Sequence, residues 1–74
     1  MEPNIKEVAG RIRALREDMD LTLQEMAEAT GRSTAEYAAQ ESGEEDLSFT
    51  FLYKCAEKFG VDVIELLTGE NPPL

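Results

Sequence analysis

A capping residue followed three positions later by glutamate occurs at Thr22…Glu25, Ser33…Glu36 and Asp62…Glu65. In this arrangement the first side chain accepts from the backbone N–H of the third residue, and the glutamate reaches back to the N–H of the cap. Each pair stands just before an apolar pattern of helical period, so it marks where a helix starts. Asn4…Glu7 is a weaker fourth case. Helix starts at this density, within 74 residues, leave room for short helices and tight turns. The chain shows no strand-period alternation, internal repeat or low-complexity tract.

Five helices follow from this pattern. The first is expected over residues 4–18, with Ile5, Val8, Ala9, Ile12 and Leu15 on one face and Lys6, Arg11, Arg13 and Arg16 on the others. The second spans residues 23–29 and turns Leu23, Met26 and Ala27 inward. Thr30, Gly31 and Arg32 form a turn in which Gly31 supplies a left-handed cap. The third spans residues 34–42 and ends at Gly43, before an acidic loop of Glu44, Glu45 and Asp46. The fourth starts after Ser48 and ends at Phe59, with Phe49, Leu52, Cys55, Ala56 and Phe59 at inward spacing. The fifth runs over residues 63–67. Residues 68–74 hold Gly69, Pro72 and Pro73 and read as a tail or linker, leaving residues 1–67 as the domain. The fold class is all-α, a compact five-helix bundle. The expected core is Ile5, Val8, Ile12, Leu15, Leu21, Met26, Ala27, Tyr37, Leu47, Phe49, Leu52, Cys55, Ala56, Phe59, Val61 and Leu66.

Composition removes several function classes. A chain of this length buries only ~60% of its unfolded surface, which leaves little room for a deep active-site cavity. With 42% apolar residues it is too apolar to be disordered at this charge. No apolar stretch is long enough to span a membrane, and Met1-Glu2-Pro3 is no secretory leader. A single cysteine, Cys55, cannot close an internal disulfide, which fits a cytoplasmic setting. It reads as a small buried apolar residue. One cysteine and no histidine leave no zinc set and no imidazole acid–base chemistry. The acidic loop lacks the alternating ligands and glycine of a calcium loop and reads as solvated. No nucleophile–base pair or phosphate-binding glycine loop is present, so neither an enzyme, a metal nor a cofactor is expected.

The informative segment is Leu21-Thr-Leu-Gln-Glu-Met-Ala-Glu-Ala-Thr-Gly-Arg-Ser-Thr-Ala-Glu-Tyr37. It reads as helix, glycine turn, helix. Ala27 suits a close helix approach, and Gly31 suits a turn needing positive φ. Such a turn crosses two helices steeply, so that the second can enter a DNA major groove while the first lies over the backbone.

With Arg11-Ile-Arg-Ala-Leu-Arg-Glu17 before it, and Glu41-Ser-Gly43 and Ala56-Glu-Lys-Phe-Gly-Val61 after it, this segment resembles the XRE/Cro family of helix-turn-helix repressors. The likeness runs without a gap over about residues 5–67. It implies a phage-repressor-like, sequence-specific DNA-binding domain of a transcription regulator, with residues 34–42 in the major groove. Thr34, Ala35 and Ala39 take the base-facing positions; only Thr34 can hydrogen-bond, and the alanines can touch only thymine methyls. The DNA-facing set is Thr22, Arg32, Ser33, Thr34, Ala35, Ala38, Ala39 and Ser42, with Arg11 and Arg13 as further phosphate candidates. Glu36 is accounted for by its capping box. The resemblance also implies an ion pair between Arg16 and Glu41, and a homodimer over two half-sites. Phe51 and Ile64 stand where the family is usually polar. With Leu67 they suggest a dimer or interdomain face. The end of the chain resembles the junction before a cupin ligand-binding domain. Gln40 replaces a usual aliphatic residue, which suits either a loosened third helix or a polar contact to a following domain.

The chain departs from the family in charge. Its net charge is −9, whereas DNA binders gather positive charge to displace counterions. Leu23 stands where the family often has a phosphate-holding glutamine, and Glu44, Glu45 and Asp46 replace a basic loop. Binding to double-stranded DNA is therefore expected to be weak and salt-dependent. An acidic protein–protein interaction module on the same fold is the alternative reading.

Overall fold

The computed structural model describes residues 4–70. Its elements are α1 (Ile5–Asp18), α2 (Leu23–Thr30), α3 (Thr34–Glu41), α4 (Phe49–Phe59) and α5 (Val63–Thr68). Among the described residues there is no strand, as the all-α expectation requires. Boundaries move by a residue or so from those expected. Residues 71–74 of the expected tail, and residues 1–3, lie outside the described residues.

Each helix opens on a side-chain cap, and the caps differ in kind. Thr22 and Ser33 close complete capping boxes with Glu25 and Glu36. Asp62 does not close one. Its carboxylate accepts from the Ile64 N–H at 3.0 Å, one position earlier than in a box. Glu65 instead lines a surface recess with Arg11 and Gly69. Asn4 likewise caps through the Lys6 N–H. Ser48 caps α4 by accepting from the Phe51 N–H at 3.1 Å, a start with no glutamate to announce it. Between α1 and α2 the chain turns through Asp20, which adopts positive φ (55°) although it is not glycine.

α2 packs on both α3 and α4, while α1 crosses α3, α4 and α5. The core lies where these meet, with Ile12, Met26, Tyr37, Phe51, Cys55 and Leu66 fully enclosed. Cys55 is wholly buried, and burial pushes its thiol up to about 12. Leu15, Leu21, Leu47 and Val61 are half-buried at its margin. Ala9 is buried as well.

Three assignments need correction. Phe49, expected inside, is 66% exposed, and Phe51, expected on a dimer or interdomain face, is 1% exposed. Ile5, also expected inside, is exposed on the first turn of α1. Spacing alone favours Phe49, three residues before Leu52. Helical side chains lean toward the N-terminus, however, and Phe49 is the first residue of α4, so it overhangs the end of the bundle. Phe51 points toward α3, where its ring meets Tyr37 at a centroid distance of 5.8 Å. The same end effect exposes Ile5.

This exchange has a measurable consequence. Phe51→Ala should lower unfolding free energy by about 3–5 kcal/mol, the range for truncating a buried aromatic. Phe49→Ala should stay within roughly 0.5 kcal/mol, as exposed substitutions do. Urea denaturation of the two variants checks the ordering, and equal losses would contradict it.

Candidate nucleic-acid interface

The bracket formed by α2 and α3 is closed by backbone and side-chain bonds acting together. α2 ends on Thr30, a buried residue whose hydroxyl donates to the Met26 and Ala27 carbonyls at 2.9 and 3.2 Å. Gly31 then reverses the chain at φ 71°, and the Arg32 N–H donates to the Ala27 carbonyl at 2.9 Å. Ser33 starts α3 immediately. Ala27 is 2% exposed in the core cluster, so a longer side chain there has no free space.

A second set of bonds ties α3 to α1. The Arg16 guanidinium donates from Nε to Glu41 Oε2 at 2.8 Å and from Nη2 to Oε1 at 3.0 Å. Its Nη1 donates to the Leu21 carbonyl at 3.0 Å, which also fixes the α1–α2 turn. The side chains of the pair are only 14% and 6% exposed. The Glu41 hydrogen bonds raise the Arg16 pKa further. Tyr37, one turn before Glu41, buries its hydroxyl next to this carboxylate without reaching hydrogen-bond geometry. Burial first, and Glu41 second, hold that phenol far above its ordinary value.

Gln40 fits neither role open to it on sequence. It is 4% exposed, and its Nε2 donates to the Asp46 carbonyl at 3.3 Å. The residue pins the acidic loop against α3, with its Oε1 left unpaired.

The outer face of α3 carries short side chains. Thr34, Ala35 and Ser42 are exposed, and Ala38 and Ala39 are half-buried. The Ser42 hydroxyl turns back to donate to the Ala39 carbonyl at 2.9 Å. Thr22 and Ser33 stand at the N-termini of α2 and α3 with their oxygens spent on the capping boxes. Arg13 lines a shallow recess with Leu23, Ala38 and Ser42, which sets it beside the α3 face. It is exposed and lies 3.6 Å from Glu17. Arg32 is exposed at the turn. Lys54 of α4 joins it there, because a Cβ built on Gly31 would lie 3.7 Å from Lys54 Nζ. Sequence reasoning missed Lys54, whose only signal is its outward position on α4.

Arg11 is placed elsewhere. Its Nη1 donates to the Leu66 and Leu67 carbonyls at 3.1 and 3.0 Å, closing the last turn of α5. These bonds engage Nη1 at a helix terminus, and Nη2 lies 3.8 Å from Glu7. Leu67 is half-buried against the core, and Ile64 is 49% exposed.

Electrostatics at the bracket are mixed. Glu25 and Glu36 both titrate below the ordinary carboxylate range, chiefly because the backbone N–H of each cap donates to them. Two negative charges therefore sit at helix ends whose free N–H groups would otherwise draw phosphates. A lowered folded pKa means that each box stabilises above the unfolded value, 4.5, and loses this as pH falls through the folded value. Glu25→Gln and Glu36→Gln keep an acceptor but cannot titrate. Urea denaturation as a function of pH should show a shallower loss of stability below pH 4.5 in either variant than in the parent. An unchanged acid limb would contradict the reciprocal box.

Comparison with known proteins agrees with this geometry. The clp gene regulator ClgR from Corynebacterium glutamicum is similar over 90% of this chain and 72% of its own, at 31% identity and a TM-score of 0.77. A further ClgR structure is similar at 31% identity and a TM-score of 0.75, over 89% of this chain and 87% of its own. The restriction-modification controller protein C.AhdI from Aeromonas hydrophila shares the fold at 22% identity and a TM-score of 0.78, over 84% of this chain and 94% of its own. No curated protein matches the chain. A family model described as a helix-turn-helix domain matches residues 9–72. The chain belongs to that helix-turn-helix domain family.

Proposed function

We propose that the chain is the DNA-binding domain of an XRE-type transcription regulator, with α3 entering the major groove. The observation that carries this reading is the closed α2–α3 bracket, which holds α3 by its inner side and leaves the face from Thr34 to Ser42 uncovered. The likeness to a gene regulator at 31% identity supports it. Thr34 is the hydrogen-bonding residue among the base-facing positions, and Ala35 and Ala39 contribute methyl contacts. Arg32 and Lys54 beside the turn, with Arg13 beside Ala38, supply the phosphate contacts. One domain covers few base pairs, so the reading includes a homodimer on two half-sites about one helical turn apart. It places the domain over residues 1–67, in the cytoplasm, with residues 68–74 leading to a ligand-binding domain of the cupin class.

Net charge sets the expected strength. Glu44, Glu45 and Asp46 are exposed after α3, and their field reaches roughly 8 Å at physiological salt. Binding is therefore weak and lost as salt rises. An amide chemical-shift titration with duplex DNA at low salt should move signals of residues 31–39. Arg32→Ala should abolish these shifts, Glu45→Lys should strengthen binding, and Thr34→Ala should change sequence preference more than affinity. A flat response over residues 31–39, together with tight binding to a protein partner, would replace this reading with that of an interaction module.

A further inference from the structure

α5 ends in a set of bonds that fix where the chain leaves the bundle. Arg11 Nη1 donates to the Leu66 and Leu67 carbonyls, and the Gly69 N–H donates to the Glu65 carbonyl at 2.8 Å. The Thr68 hydroxyl donates to the Ile64 carbonyl at 2.9 Å and accepts from the Glu70 N–H at 3.2 Å. Gly69 has φ 78°, and a Cβ built on it would lie 2.8 Å from Arg11 Nε. Glycine is what lets the backbone turn here and pass this close to the middle of α1.

Next to this exit is an apolar recess. Ile5 and Val8 of α1, Leu47, Leu52 of α4 and Leu67 of α5 line it. Ile5 is 39% exposed, and Leu47 and Leu67 are half-buried. All five walls are aliphatic, so the recess suits an aliphatic side chain and offers nothing to a charged one. The recess toward the C-terminal half of α1 differs, because Arg11 and Glu65 stand in its walls.

The sequence beyond Glu70 matches the aliphatic recess in length and chemistry. It reads Asn71-Pro72-Pro73-Leu74, an uncharged segment with leucine in fourth place. Arg11, where the chain leaves, lies three residues past Val8 and six past Ile5, about 4.5 and 9 Å along the helix. Four residues of extended, proline-type backbone reach about 12 Å from Glu70. Two adjacent prolines already restrict the backbone, so seating the segment costs little further entropy.

We propose that residues 71–74 form a strap that turns back along α1 and seats the Leu74 side chain in the recess between α1, α4 and α5. The strap joins the end of α5 to the first turn of α1 and covers Ile5. It stands apart from the DNA-binding reading. No α3 residue lines the recess, so a seated strap leaves the face from Thr34 to Ser42 uncovered.

NMR of the full chain with labelled methyl groups tests this. The Leu74 methyls should show nuclear Overhauser contacts to Ile5, Val8 and Leu67. Leu74→Ser should abolish these and shift the Ile5 and Val8 methyls. Cross-linking gives a second readout that does not depend on any loss of stability. Ile5→Cys with Leu74→Cys should close a disulfide within one chain under mild oxidation, while buried Cys55 stays reduced. Glu17→Cys with Leu74→Cys is the control. Arg11 lies six residues from both Ile5 and Glu17, so an unseated tail would reach either cysteine equally. A seated strap should close the Ile5 pair about tenfold faster or more, through its higher effective concentration. Equal rates, with no contacts from the Leu74 methyls, would overturn the strap. Contacts to the recess from Met1 instead would overturn it in favour of the N-terminal residues. A disulfide formed only between chains would overturn it in favour of a second copy.

Discussion

The paired bonds between Arg16 and Glu41 tie α3 to α1, beside the apolar packing of Tyr37 in the core. α3 has only eight residues, too short to be stable alone. It buries Tyr37, Gln40 and Glu41, of which Tyr37 alone is counted with the apolar core. A helix held by so little greasy surface could slide or rotate on α2. A bidentate guanidinium–carboxylate contact is directional, and here it is shielded from water at both ends. Taking both charges out of water costs much of what their attraction returns, so the pair sets geometry more than net stability. The third Arg16 bond, to the Leu21 carbonyl, extends the same control to the start of α2. One side chain thereby orients both arms of the bracket.

Much of this arrangement is legible in the residues. The boxes at Thr22 and Ser33 and the glycines at the helix ends mark α2, α3 and their turn, because capping and positive φ are local demands. Apolar spacing gives the inner faces of α1 and α2. It fails at helix ends, where the direction of a side chain past the bundle decides burial, and so Phe49 and Phe51 trade places. Polar side chains with long reach are the other gap. Nothing in the spacing of Arg11 says that it will find the end of α5, 55 residues further on, or that Gln40 will bond the backbone of the next loop. The Arg16–Glu41 pair came from the family likeness and not from periodicity, since 25 residues separate its members.

The excess negative charge acts unevenly across the molecule. Glu25 and Glu36 are consumed by their caps, and Glu41 by Arg16, so these three shape the bracket itself. Glu44, Glu45 and Asp46 have no such role among the described residues, apart from the Asp46 carbonyl that receives Gln40. Among the described residues, Arg16 beside α3 is spent on Glu41, Lys6 lies against Gly43, and Arg13, Arg32 and Lys54 stand near the α3 face or its turn. An interface with so few cations and one acidic flank binds DNA only where shape and a handful of phosphate contacts outweigh the repulsion.

Amide hydrogen exchange with Glu41→Ala measures most directly whether the Arg16–Glu41 pair holds α3 in place. Breaking a buried pair from one side costs about 3–5 kcal/mol. If that cost falls on the docking of α3, its amides from Tyr37 to Glu41 should exchange roughly a hundredfold faster or more. The core amides of α4, from Leu52 to Phe59, should change far less. An equal acceleration in α3 and α4 would mean that the pair contributes only to global stability. Unchanged exchange in α3 would mean that packing around Tyr37 holds the helix without it.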